Sequence, residues 1–112
     1  MGAGFVRIST DASFERDVLR SPGLVLVAFG ASWCGPCRLL YPGLRALASM
    51  QKDRLMVTKL DAEANPATAD RFGVETYPIC ILFRAGEEVE RLDGYMPLRK
   101  IEARLRPYLD AA

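Results

Sequence analysis

Histidine is absent from this 112-residue chain, and cysteine occurs only three times. Without histidine, a zinc site of the mixed Cys/His kind has no imidazole to draw on. An odd number of cysteines, two of them three positions apart, makes a poor framework of structural disulfides. A chain of this length does not need such staples, so the weight moves to chemistry or metal binding. An excess of charge is missing too: 15 basic residues stand against 14 acidic ones, a formal charge of +1. That gives no electrostatic reason to expect nucleic acid or an anionic membrane as partner. The apolar runs, such as Leu24 to Phe29, are far too short to cross a bilayer. There is no repeat, no low-complexity tract and no linker that would divide domains. The opening Met1-Gly2-Ala3-Gly4-Phe5 lacks the basic-then-apolar pattern of a secretory leader, so the expected location is the cytoplasm.

Half of the residues are hydrophobic and 26% are charged, a globular balance. The length suits one domain, 1–112. Phe5-Val6-Arg7-Ile8 reads as a short edge strand. Thr10 or Asp11 is expected to cap a helix that begins near Ala12 and buries Phe14, Val18 and Leu19. Pro22-Gly23 ends it. Leu24 to Phe29 is apolar throughout, which suits a strand covered on both faces. A helical pattern then runs to about Met50, with Leu40, Leu44 and Leu47 on one face and a kink expected at Pro42. Leu55 to Leu60 is a strand. Asn65-Pro66 has the chemistry of a capped helix start, and Gly73 of its end. Ile79 to Phe83 and Val89 to Leu92 are strands joined by a turn at Ala85-Gly86. After Gly94, a last helix from Pro97 to about Leu109 presents Leu98, Ile101, Leu105 and Tyr108 or Leu109 on one face. The order β-α-β-α-β-α-β-β-α means an α/β fold: a mixed sheet with helices on both faces.

Cys34-Gly35-Pro36-Cys37 falls between a strand and a helix. Cys34 should therefore sit at the first helical turn, where free backbone N–H groups and the helix dipole favour thiolate, the reactive form. A second sulfur three residues on returns beside the first, so an internal Cys34–Cys37 disulfide can form. Pro36 stiffens the pair, and Gly35 keeps bulk away from the attacking sulfur. The expected cycle has the Cys34 thiolate attacking a partner disulfide. Cys37, expected to be the less exposed sulfur, then attacks Cys34 and releases the reduced partner. Two other readings compete. The pair could be half of a structural zinc site, but two more ligands are needed and the remaining Cys80 lies in a strand. It could also be inert filler, against which stands its place directly ahead of a helix. No metal is expected.

Trp33-Cys34-Gly35-Pro36-Cys37, followed by the basic Arg38, resembles the active-site motif of the thioredoxin family. The likeness extends over nearly the whole chain, through Thr10 to Phe14, Pro42, Lys59-Leu60, Asn65-Pro66, Gly73 to Pro78, Leu82-Phe83, Gly86 and Gly94. It implies a thioredoxin-like fold and a protein-disulfide reductase that binds no cofactor of its own. It also implies protein disulfides as substrates and an NADPH-dependent flavoprotein thioredoxin reductase as the recycling partner. Pro78 resembles the family's cis proline beside the cysteines, which would leave the Tyr77 backbone free to pair with an extended substrate. Trp33, Pro78, Gly94 and Tyr95 would form the docking surface around the sulfurs. A monomer is the default expectation.

Three departures stand out. Ala28 occupies the place of a buried aspartate that typically pairs with the lysine Lys59 resembles and helps Cys37 lose its proton. Lys59 then either biases the nearby sulfur by its charge or extends to solvent. Gly30 replaces an aromatic residue, which opens the edge of the docking surface. Cys80, two residues past Pro78, is either a buried small hydrophobe or a further redox thiol. Two alternatives to the reductase remain open at this point: a disulfide oxidant or isomerase, and a non-catalytic scaffold that keeps the fold and its docking surface.

Overall fold

Strand β2 (Leu24–Gly30) is the axis of the molecule, buried along its length down to the half-buried Gly30. It pairs in parallel with β3 (Leu55–Asp61) on one side and antiparallel with β4 (Ile79–Arg84) on the other. The short β1 (Arg7–Ser9) adds to β3 in parallel, and β5 (Glu87–Asp93) adds to β4 in antiparallel fashion. The result is a five-stranded mixed sheet in the order β1-β3-β2-β4-β5. This computed structural model describes residues 2–111; Met1 and Ala112, the two ends of the expected domain, lie outside the described residues.

Side chains alternate across a strand, so each face of β2 serves a different layer. Leu24, Leu26 and Ala28 face helices α1 (Gly35–Met50) and α3 (Leu98–Asp110), which contribute Leu40, Leu44, Leu47, Ile101, Leu105 and Leu109 to that core. Val25, Val27 and Phe29 face the other way, toward helix α2 (Pro66–Arg71) and the segment around Phe14. There the Phe72 ring meets those of Phe14 and Phe83 at centroid distances of 5.5 and 5.2 Å. Helices on both faces of a mixed sheet are what the alternation of elements predicts. Each fully buried leucine or isoleucine is worth roughly 1.5–3 kcal/mol of removal from water. Both α1 and α3 run on past an internal proline, Pro42 and Pro107. Gly86, at φ 81°, and Ala85, at φ 48°, turn the β4–β5 hairpin in the left-handed region, which suits the twist of the strands.

Capping differs from the sequence expectation. The first helical segment is a short π-helical turn, Glu15–Leu19, closed by the Arg20 N–H on the Glu15 carbonyl at 2.8 Å. Thr10 does cap its approach, its hydroxyl accepting the Ser13 N–H at 3.1 Å while its own N–H donates to Ser13 Oγ at 2.9 Å. Asp11 instead serves α2, across the molecule: its carboxylate accepts the N–H groups of Ala67 and Thr68 and the Thr68 hydroxyl, at 3.2, 2.9 and 2.6 Å. Asn65, expected to cap α2, gives that helix no side-chain bond. Its Oδ1 accepts the Asp11 N–H at 2.8 Å, so the two residues exchange duties and tie the β1 connection to α2. Local spacing reads only the nearest helix, and this cap spans 57 positions.

The Thr68 hydroxyl first, and the backbone N–H groups with it, hold the Asp11 carboxyl below its ordinary value of 3.8. A depressed folded-state pKa gives stability that is present above the unfolded value and lost as pH falls through the folded one. Asp11→Ala is therefore expected to lower the thermal midpoint at pH 6. The difference from wild type should shrink once the pH drops below about 3.8, as differential calorimetry across pH 2.5–6 would show. A difference independent of pH would show that the charge of the cap contributes nothing.

Candidate active site

Strand β2 ends at Gly30, and the chain turns through Ala31, Ser32 and Trp33 before α1 begins at Gly35. Cys34 is the N-cap of that helix, with extended backbone at φ −84° and ψ 112°. Its sulfur stands where a capping oxygen usually stands and accepts the Cys37 N–H at 3.3 Å. Pro36 occupies the first turn, where the missing N–H costs nothing. A Cβ at Gly35 would meet no atom within 4 Å, so this glycine keeps the approach open and relieves no clash. Cys34, Cys37 and Cys80 are all free thiols here.

The exposure of the two sulfur-bearing residues is reversed from expectation. Cys34 is buried, at 4% exposure, whereas Cys37 is partly exposed. The cause lies in β2. A Cβ placed on Gly30 would come within 3.1 Å of Cys37 Sγ, so any side chain there would crowd or cover that sulfur. With glycine at 30 and alanine at 28, a cavity of about 500 Å³ opens beside Cys37, walled by Ala28, Leu40, Tyr41 and Leu44. What remains of the burial is still the largest influence on the Cys37 thiol. Together with the neighbouring Cys34 sulfur it pushes the Cys37 pKa up to about 11.

Lys59 is the cross-strand neighbour of Ala28 in the β2–β3 ladder. It is exposed, and its ammonium sits 4.5 Å from the centre of the Tyr41 ring, at the edge of the cavity. Tyr41 escaped the sequence reading. The available signal was its position four residues after Cys37 on the same helix, which puts both on one face. Cys80 pairs with Ala28 on the other side and is 2% exposed, packed with Leu82 in the α1/α3 core. Burial first, and the charge of Cys37 second, raise its pKa to about 12.

The expected docking residues come together in part. The Tyr77–Pro78 peptide is cis. The Pro78 carbonyl accepts the Gly94 N–H at 2.8 Å, and Gly94 takes φ 76° to make that approach. Trp33, 61% exposed, meets the Tyr77 ring edge-on at 5.9 Å between centroids. Tyr95, beside Gly94, is 48% exposed. Among the described residues, no group of His, Cys, Asp or Glu is arranged to hold a metal, and no helix is long and apolar enough to cross a membrane.

A dithiol at the start of a helix, delivered by a buried strand of a mixed α/β sheet, is the apparatus of a thiol–disulfide oxidoreductase. The thioredoxin family model matches residues 5–107. A thioredoxin of Alicyclobacillus acidocaldarius is 41% identical over 100 residues, covering 89% of this chain and 94% of that one. A thioredoxin of Mycobacterium tuberculosis is 48% identical over 85 residues, 76% of this chain and 73% of its own. A bifunctional thioredoxin reductase/thioredoxin of Mycobacterium leprae is 48% identical over 92 residues, 82% of this chain and 20% of that longer protein. The chain belongs to the thioredoxin family, and its thiol–disulfide oxidoreductase activity centres on the Cys34–Cys37 motif.

Thiolate absorbance should show Cys37 ionising near 11, about two pH units above the ordinary cysteine value of 9.0. In Cys80→Ala the step near 12 should disappear and the Cys37 step remain. A Cys37 step at or below 9 would show that the remaining burial does not govern this thiol.

Proposed function

We propose that this one domain is a general protein-disulfide reductase in which Cys34 is the nucleophile and Cys37 the resolving thiol. The observation that carries the proposal is the Cys34 sulfur at the N-cap of α1, bonded to the Cys37 N–H. Attack by the Cys34 thiolate on a substrate disulfide forms a Cys34–substrate mixed disulfide and expels one substrate thiolate. Cys37 loses its proton and attacks Cys34 Sγ; the second substrate thiolate leaves, and Cys34–Cys37 closes as a disulfide. Trp33, Tyr77, Pro78, Gly94 and Tyr95 supply the docking surface, with the Tyr77 backbone pairing to an extended substrate segment.

The reducing direction is supported by Gly35-Pro36 between the cysteines. A relative whose name joins thioredoxin to thioredoxin reductase supports such a reductase as the recycling partner, which we take to be an NADPH-dependent flavoprotein. That supply of NADPH suits a cytoplasmic setting. The oxidant or isomerase reading has no observation of its own in its favour. The scaffold reading does not account for two free thiols, Cys34 and Cys37, at a helix start.

Proton loss from Cys37 limits the resolving step. In the free dithiol, burial first and the Cys34 sulfur second push its pKa up to about 11; the burial remains in the mixed disulfide, and Ala28 offers no carboxylate to take the proton. The thiolate fraction, and with it the resolving step, should rise about tenfold per pH unit from 7 to about 9. Stopped-flow decay of a preformed Cys34 mixed disulfide measures this directly. Ala28→Asp, which restores an acceptor beside the thiol, should speed decay at pH 7 and flatten the profile. Turnover of a protein disulfide should vanish in both Cys34→Ser and Cys37→Ser, with a trapped mixed disulfide only in the latter. Turnover that survives Cys34→Ser would refute the assignment of the nucleophile.

A further inference from the structure

The cavity beside Cys37 reaches the dithiol from beneath β2 and α1 and borders the docking surface at Pro78. Cys37 lines it and Cys34 does not, and of the docking residues Pro78 alone takes part. Its walls are apolar for the most part, with Ala28, Leu40 and Leu44 among them, and its volume of about 500 Å³ is that of a small-molecule site. Three charged residues line it: Arg38, Lys59 and Asp61. Asp61 is partly engaged, its Oδ1 accepting the N–H groups of Glu63 and Ala64 at 3.0 and 3.2 Å. The Arg38 guanidinium reaches only the Ser32 carbonyl, at 3.3 Å, and the Lys59 ammonium lies over the Tyr41 ring. Two cations against one engaged carboxylate leave the site positive.

We propose that this cavity is a second entrance to the disulfide: a binding site for a low-molecular-weight thiol bearing a carboxylate, which attacks the oxidised pair at Cys37. The proposal rests on the redox reading of the Cys34–Cys37 pair. Lys59 and Arg38 hold the carboxylate, the apolar walls take the carbon chain, and the thiolate meets the sulfur that Gly30 leaves uncovered. As the new bond to Cys37 Sγ forms, the Cys34–Cys37 bond breaks. The electron pair leaves on Cys34 Sγ, which is already placed to accept the Cys37 N–H and then takes a proton from solvent. A second small thiolate attacks the small-molecule sulfur of the mixed disulfide, and Cys37 departs with the electron pair and takes a proton from solvent. Two small thiolates become one small disulfide, and the protein disulfide becomes a dithiol.

The test compares Cys34→Ser, which retains Cys37, with Cys37→Ser, which retains Cys34. Each is exposed to 3,3′-dithiodipropionate, an anionic small disulfide, and to cystamine, a cationic one, and mixed-disulfide formation is followed by intact mass. With Cys37 alone, the anionic probe should react about tenfold faster relative to the cationic one than it does with Cys34 alone. Adding Lys59→Gln should collapse that preference, Lys59→Arg should keep it, and 1 M salt should erase it without any change of sequence. No preference at Cys37, or one indifferent to Lys59→Gln and to salt, overturns the proposal. So does labelling of Cys34 with none of Cys37, a result that leaves the redox reading intact. A wild-type protein that forms no Cys34–Cys37 disulfide under oxidant would remove both.

Discussion

The Cys34 sulfur occupies the place of a helix-capping oxygen, accepting the Cys37 N–H at 3.3 Å, and the rest of the site is arranged around that contact. Strand β2 makes it possible. Buried on both faces and paired on both edges, β2 holds the chain rigidly up to Gly30, and the turn through Ala31 to Trp33 delivers Cys34 to the first turn of α1. The helix is in turn fixed by Leu40, Leu44 and Leu47 against the same sheet face. A dithiol on a loose loop would have to be ordered before it could react, at an entropic cost of about 1–2 kcal/mol per residue. Here folding has already met that cost.

The two small residues of β2 set the character of this particular dithiol. Ala28 and Gly30 point to the α1 side of the sheet and leave space that larger side chains would fill. The space exposes Cys37 in place of Cys34, brings Lys59 and Tyr41 to its edge, and leaves Cys37 without a nearby proton acceptor on β2. One change in side-chain volume thus acts on access and on proton transfer together. On the proposed mechanism, a slow resolving step and an open route for small thiols both follow from the same cavity.

Much of the fold was legible in the sequence because periodicity and punctuation agreed. The unbroken apolar run of β2, the helical spacing of Leu40, Leu44 and Leu47, and Pro66 and Gly73 around α2 each point to one local structure, and the fold has it. The cysteine pair was legible for the same reason, since a strand before it and a helix after it fix its place. Asp11 and Asn65 were assigned to the wrong partners because a cap across 57 positions leaves no trace in local spacing. The reversed exposure of Cys34 and Cys37 was hidden because it depends on what is missing at 28 and 30, seen only when β2 and α1 are packed together. Tyr41 went unnoticed because its partner, the Lys59 ammonium, comes from another strand. Cys80 did lie where alternation put it, on the face of Leu82, and its burial suits a small hydrophobe.

The direction of exchange is the central claim, and the equilibrium reduction potential of the Cys34–Cys37 pair tests it most directly. Equilibration against a defined dithiothreitol or glutathione buffer, read by alkylation and mass, should give a value near about −270 mV, typical of thioredoxins. A value between roughly −180 and −120 mV would place the pair with isomerases and oxidants and contradict the reductase account.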